Sequence, residues 1–138
     1  MNIGTAKDWM TSNPITISPK THLQEAHNLM SQFKIRRLPV AEEGKLIGIV
    51  TLGDVREASP SDASSLSIFE LDFLMAKLTV EDIMTKEPKT LQPTASLQEV
   101  AKMMLEYKIG GIPILDGDAL VGVITESDVF RAVIKHCV

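Results

Sequence analysis

The chain has 138 residues, 44% of them hydrophobic and 23% charged, a balance that suits one small domain or two half-domains sharing a core and excludes a disordered segment. Its formal net charge of −4 gives no general attraction to nucleic acid or anionic lipid, its aromatic content of 4% offers few platforms for base stacking, and its single cysteine permits no internal disulfide. No run approaches the ~18–20 consecutive apolar residues needed to cross a bilayer, and the first ten residues lack a signal-like apolar core, so a cytoplasmic protein with no membrane insertion and no nucleic-acid partner is expected.

In chain order, Ile15-Thr16-Ile17 is a short β-prone stretch closed by Ser18-Pro19, which cannot continue a central ladder. Leu23, Ala26, Met30 and Phe33 then recur at helical spacing and predict one apolar helix face, with Gln24, Glu25, Asn28 and Gln32 pointing elsewhere. Leu38-Pro39-Val40 and Leu46-Ile47-Gly48-Ile49-Val50 predict two strands around the polar turn Glu42-Glu43-Gly44-Lys45, followed by a short helix starting near Asp54. The stretch from Ala58 to Ser65 is small, polar and turn-rich and predicts a linker. Leu66, Phe69, Phe73 and the residues from Met75 to Leu78 predict a connector helix.

From there the chain repeats itself. A shift of 74 positions (Met84 minus Met10) places Met10-Thr11 on Met84-Thr85, Pro14 on Pro88, Thr16 on Thr90 and Pro19 on Pro93. Without a gap, Leu23-Gln24-Glu25 falls on Leu97-Gln98-Glu99, Met30 on Met104, Pro39 on Pro113, Gly48 on Gly122, Thr51 on Thr125 and Asp54-Val55 on Asp128-Val129. The register yields about 17 identities in about 47 positions. The second copy therefore predicts a helix through Leu97, Val100, Met104 and Tyr107, opened by the capping pattern Ser96-x-x-Glu99. Strands Ile112–Leu115 and Leu120–Ile124 around Asp116-Gly117-Asp118 follow, then a helix near Asp128. The expected fold class is α/β (α+β): two pseudo-twofold-related β-α-β-β-α repeats packed through their sheets, because a copy of about 50–60 residues buries too little surface alone. The expected boundaries are residues 8–58 and 80–136 for the repeats, with a helix-containing linker at 59–79.

The best binding candidates are Gly48-Ile49-Val50-Thr51-Leu52-Gly53-Asp54 and Gly122-Val123-Ile124-Thr125-Glu126-Ser127-Asp128. Each sets Thr-x-x-Asp where a buried strand hands over to a helix. A carboxylate there can accept from the vicinal hydroxyls of a ribose, and the Thr hydroxyl lies one turn back, within reach of ribose or phosphate. The same four residues are also an ordinary helix cap, and the two roles are compatible. Small Gly53 and Ser127 leave room for a phosphate beside the chain.

Taken together, Met-Thr-x-x-Pro, Leu-x-x-Ala/Val, Ile-x-x-Leu/Ile-Pro-Val/Ile and Gly-Ile/Val-Val/Ile-Thr-x-x-Asp resemble the cystathionine-β-synthase (CBS) repeat, twice over, from about Trp9 to Ala132. The stretch from Ile35 to Val40, with Ala58-Ser59-Pro60-Ser61 and Leu71-Asp72-Phe73-Leu74, is further similar to stand-alone acetoin-utilization-type CBS proteins. The resemblance implies a stand-alone Bateman-type module: two clefts between the repeats holding AMP, ADP, ATP or S-adenosylmethionine as a regulatory ligand, a homodimer, and a regulated enzyme or transporter as partner. By the motif, Thr51 and Asp54 would hold ribose and phosphate in one cleft, and Thr125 and Asp128 in the other. Thr16 and Arg36, Arg37, Leu38 and Pro39, with their counterparts Thr90 and Gly110, Gly111, Ile112 and Pro113, would meet adenine through backbone and apolar groups. Arg36-Arg37 stand where the second copy has Gly110-Gly111, so unequal sites are expected, one with cationic donors and one with room.

Nothing in the sequence points to catalysis. There is no Gly-rich phosphate loop with lysine and no Ser/His/Asp or Cys/His set. His22, His27 and His136 have no carboxylate or cysteine at metal-ligand spacing, so no metal and no catalytic cofactor are expected. The alternative to a ligand sensor is a non-catalytic structural or docking module with vestigial clefts.

Overall fold

In the computed structural model, which describes residues 3–58, 70 and 76–136, the chain forms two three-stranded antiparallel sheets flanked by helices. The described elements run α1 (Ala6–Trp9), β1 (Thr11–Ser12), α2 (Leu23–Phe33), β2 (Arg37–Glu42), β3 (Lys45–Thr51) and α3 (Leu52–Ala58). They continue with α4 (Val80–Ile83), β4 (Thr85–Lys86), α5 (Leu97–Tyr107), β5 (Gly111–Asp116), β6 (Ala119–Thr125) and α6 (Glu126–His136). Most of the expected linker and connector helix, residues 59–69 and 71–75, lies outside the described residues, and Ala76 and Lys77 are helical.

The chain divides into two compact units, a middle unit Ile15–Glu87 and a terminal unit joining Met1–Pro14 to Pro88–Val138. In the middle unit the strand order is β2-β3-β4, and in the terminal unit it is β1-β6-β5. Each sheet is thus one hairpin from within a repeat plus a two-residue strand. That short strand comes from the start of the other repeat. β4 pairs Gly48 with Lys86 and Ile49 with Thr85, and β1 pairs Thr11 with Val123 and Ser12 with Gly122.

Glycine makes this closure possible. A Cβ on Gly48 would overlap the Met84 side chain and come within 2.9 Å of the Thr85 carbonyl oxygen; one on Gly122 would meet Met10 and lie 2.9 Å from the Thr11 oxygen. The residues just after β4 and β1, Glu87 and Asn13, take left-handed φ values of 48° and 51°, and their N–H groups donate to the Ile47 and Val121 carbonyls.

The strand expected over Ile15-Thr16-Ile17 is reduced to a single bridge, Ile17 to Val40, matched by Leu91 to Ile114 in the terminal unit. Proline is the cause. Pro14 lacks an N–H, Ser18-Pro19 turns the chain, and Ile17 makes the bridge: its N–H donates to the Pro39 oxygen at 3.1 Å and its oxygen accepts from Ala41 N–H at 2.9 Å. β2 carries a bulge between Val40 and Ala41, and β5 one between Ile114 and Leu115, where these incoming segments dock. Pro39 and Pro113 are tolerated because β2 and β5 are edge strands of their ladders.

Each unit has its own core. Leu23, Ala26 and Met30 of α2 pack with Leu38, Val40, Val50, Val55, Ile17 and Val80; Leu97, Val100 and Met104 of α5 pack with Ile112, Ile114, Ile124, Ala6 and Ala132. Phe33 and Tyr107 leave the expected apolar faces and remain half exposed, because both helices end there in a left-handed residue, Lys34 or Lys108, whose N–H returns to Met30 or Met104. The Ser96 hydroxyl caps α5, accepting from Glu99 N–H at 3.1 Å, while the Glu99 carboxylate meets that hydroxyl rather than the Ser96 backbone. Among the described residues no helix is long and apolar enough to cross a membrane.

Candidate functional site

Three separated segments meet at one corner of the middle unit. Arg37 lies opposite Thr51 and Leu38 opposite Val50 across the β2–β3 ladder, and Leu52 N–H donates to the Arg36 oxygen at 2.7 Å, which closes the strand-to-helix turn. The Ile17 bond to the Pro39 oxygen brings Thr16 alongside. The terminal unit repeats this geometry: Gly111 lies opposite Thr125, Glu126 N–H donates to the Gly110 oxygen at 3.1 Å, and Leu91 N–H donates to the Pro113 oxygen at 3.3 Å, with Thr90 adjacent.

Leu38, Pro39, Gly111, Ile112 and Pro113 are buried and shape the corners through backbone and apolar surface, whereas Thr16, Arg36, Gly53 and Ser127 are exposed. Arg37, Thr51, Asp54, Thr90, Gly110 and Thr125 are half-buried. At Gly53 an added Cβ would find only the Thr51 hydroxyl, at 3.6 Å, so the space beside the turn is open.

The two Thr-x-x-Asp sets are bonded differently. In the middle unit Thr51 N–H donates to Asp54 Oδ2 at 2.9 Å and Asp54 N–H donates to Thr51 Oγ1 at 3.1 Å, so the Thr51 hydroxyl proton is not used within the pair. In the terminal unit Asp128 Oδ2 accepts from both Thr125 N–H at 2.8 Å and Thr125 Oγ1 at 3.1 Å, and Asp128 Oδ1 accepts from Arg131 Nη1 at 2.8 Å. Asp128 is only 7% exposed. The expected inequality of the corners therefore extends beyond Arg36-Arg37 against Gly110-Gly111 to the acidic groups themselves.

Sequence reasoning missed Arg131, whose signal was its place one helical turn after Asp128, where the first repeat has Glu57. It also missed that Thr-x-x-Asp occurs at Thr5-Asp8 and Thr79-Asp82, in the starts of α1 and α4. There Thr N–H donates to Asp Oδ2 at 2.9 Å in both cases, the bond made at the two corners. Capping is thus common to all four sets; Asp8 and Asp82 are exposed, whereas Asp54 is half-buried and Asp128 buried beside the candidate segments.

A surface cavity of about 430 Å³ in the terminal unit is lined by Ile3, Gly4, Asp8, Trp9, Lys135 and His136 and includes none of the candidates. Among the described residues no group of three or more His, Cys, Asp or Glu side chains could hold a metal ion.

The CBS domain family model matches residues 6–61 and 80–135. The chain is 36% identical over 126 residues to an inosine-5'-monophosphate dehydrogenase of Korarchaeum cryptofilum, covering 91% of this chain but only 23% of the dehydrogenase. Among solved structures, CBSX2 in complex with AMP superposes with a TM-score of 0.77 at 29% identity, covering 96% of this chain and 97% of that one. AcuB of Vibrio cholerae, named for acetoin utilization, gives a TM-score of 0.77 at 32% identity over 95% of this chain and 90% of its own. The CBS domain pair of protein MJ0100, in complex with 5'-methylthioadenosine and S-adenosyl-L-methionine, gives 0.79 at 29% identity over 95% and 96%.

Proposed function

Because the chain belongs to the CBS domain family, with two repeats, we propose that it is a regulatory module that binds an adenosine-containing ligand at its strand-to-helix corners and catalyses no reaction. The observation that carries this reading is the convergence of Thr16, Arg36 to Pro39 and Thr51 to Asp54 at one place in the middle unit, repeated in the terminal unit by Thr90, Gly110 to Pro113 and Thr125 to Asp128. At Asp54 a carboxylate with unused acceptor positions stands beside a hydroxyl whose proton is uncommitted, a set suited to the two hydroxyls of a ribose. Exposed Arg36 would meet phosphate.

AMP, ADP, ATP and S-adenosylmethionine are the candidate ligands, in keeping with the AMP bound by CBSX2 and the adenosyl compounds bound by the MJ0100 pair. The module works in the cytoplasm as a homodimer and passes the binding signal to a regulated enzyme or transporter. Exposed Leu105, Phe130 and Ile134 supply apolar surface for such contacts. Binding is read as a shift in the packing of the module or its partner.

Thermal melting with each of the four ligands tests the reading. At ~100 times its dissociation constant a ligand adds about 2.7 kcal/mol, several degrees for a chain of this size, whereas flat melting temperatures at millimolar ligand contradict it. The second reading, a docking module with vestigial sites, is favoured by one observation, the engagement of Asp128 by its own Thr125 and Arg131. Under it, Asp54→Ala and Asp128→Ala change stability but leave partner binding intact.

A further inference from the structure

A carboxylate offers about four acceptor positions, and at Asp128 three are filled from within the chain: Thr125 N–H and Thr125 Oγ1 on one oxygen, Arg131 Nη1 on the other. One position remains, while the vicinal diol of a ribose needs two. The Thr125 hydroxyl proton is likewise committed, to Asp128 Oδ2. Among the described residues Asp54 accepts only from Thr51 N–H, and no cation is paired with its carboxylate. The residue at the Arg131 position of the first repeat is Glu57, of opposite charge.

Arg131 is the group in this arrangement that can leave at low cost. Its side chain is 66% exposed, so on release its guanidinium returns to water, while the Asp128 side chain it caps is 9% exposed and depends on the partner it has. The Thr125 bonds, by contrast, belong to the start of α6 and cannot open without fraying the helix.

Resting on the reading that the corners take a ribose, we infer that Arg131 is a built-in competitor at the terminal-unit corner: a ribose binds Asp128 only by displacing the guanidinium. The corner at Asp54 therefore fills first, and the corner at Asp128 fills at higher ligand concentration, which lets one module respond over two ranges.

The test is calorimetric titration of the full chain with adenosine, which lacks a phosphate and so reports on the ribose and base contacts alone. In an Asp54→Ala background, where the terminal-unit corner is isolated, adding Arg131→Met tightens adenosine about threefold to tenfold, the Arg131–Asp128 pair no longer having to be broken. Arg131→Lys, which keeps a cation for Asp128, stays close to the background value. A purely structural role for Arg131 predicts the opposite direction, since loosening α6 weakens binding. Unchanged or weaker adenosine binding in Arg131→Met overturns the inference while leaving the module's ligand binding intact. Loss of both readings together is signalled by a wild-type chain that takes up neither adenosine nor AMP.

Discussion

Asp54 and Thr51 cap one another: Thr51 N–H donates to Asp54 Oδ2 at 2.9 Å and Asp54 N–H donates to Thr51 Oγ1 at 3.1 Å. The same four-residue spacing caps α4, where Thr79 N–H donates to Asp82 Oδ2 at 2.9 Å, but Asp82 is exposed, whereas Asp54 is half-buried beside the candidate segments. The two aspartates therefore separate capping from ligand binding. Asp54→Ala and Asp82→Ala should each cost about 1 kcal/mol in denaturant unfolding, and only Asp54→Ala should reduce the heat of AMP binding. Equal loss of binding in both variants would mean that the Asp54 effect is structural.

On the proposed reading phosphate meets exposed Arg36, whose backbone oxygen is held by Leu52 N–H while its side chain lies on the surface. Arg36→Ala should weaken AMP about threefold to tenfold and leave adenosine unchanged, and raising the salt concentration should mimic the substitution. Parallel titrations with the two ligands measure the difference.

Closure of the sheets depends on the absence of a side chain at Gly48 and Gly122. Gly48→Ala would press on Met84 and the Thr85 carbonyl, so a loss of about 1–3 kcal/mol and a melting temperature lower by several degrees are expected. A double variant, Gly48→Ala with Met84→Ala, should recover part of the loss if the side-chain overlap is its cause.

The β2–β3 hairpin turns through Glu43 and Gly44, both with positive φ, at 51° and 78°. A two-residue turn of this kind favours asparagine before glycine. Glu43→Asn should stabilise the fold by about 0.5 kcal/mol, measured by chemical denaturation, and Glu43→Val should destabilise it.

Much of this architecture was legible in the sequence because its causes are local and repeated. The spacing of Leu23, Ala26 and Met30, and of Leu97, Val100 and Met104, placed the buried faces of α2 and α5, and the alternating apolar runs placed both hairpins. The short strands β1 and β4 were not legible: two residues carry no period, and their pairing depends on glycine contacts with distant parts of the chain, Gly122 for Thr11 and Gly48 for Thr85. Ile15-Thr16-Ile17 looked like a strand because its composition is β-prone, yet flanking prolines leave it one bridge. At the candidate site, Thr51, Asp54, Thr125 and Asp128 stood out as duplicated motifs. Arg131 did not, because it belongs to one copy only and its meaning lies in a contact with Asp128 that periodicity cannot reveal.

The most direct measurement is an amide-resolved NMR titration with AMP, comparing residues that share the Thr N–H to Asp Oδ2 bond. Shifts concentrated at Thr51, Leu52 and Asp54, followed at higher concentration by Thr125 and Glu126, with Thr79 and Asp82 unmoved, are the predicted result. Uniformly unperturbed amides at these corners under millimolar AMP and S-adenosylmethionine would contradict an adenosine-sensing role and leave only a duplicated, self-capped scaffold.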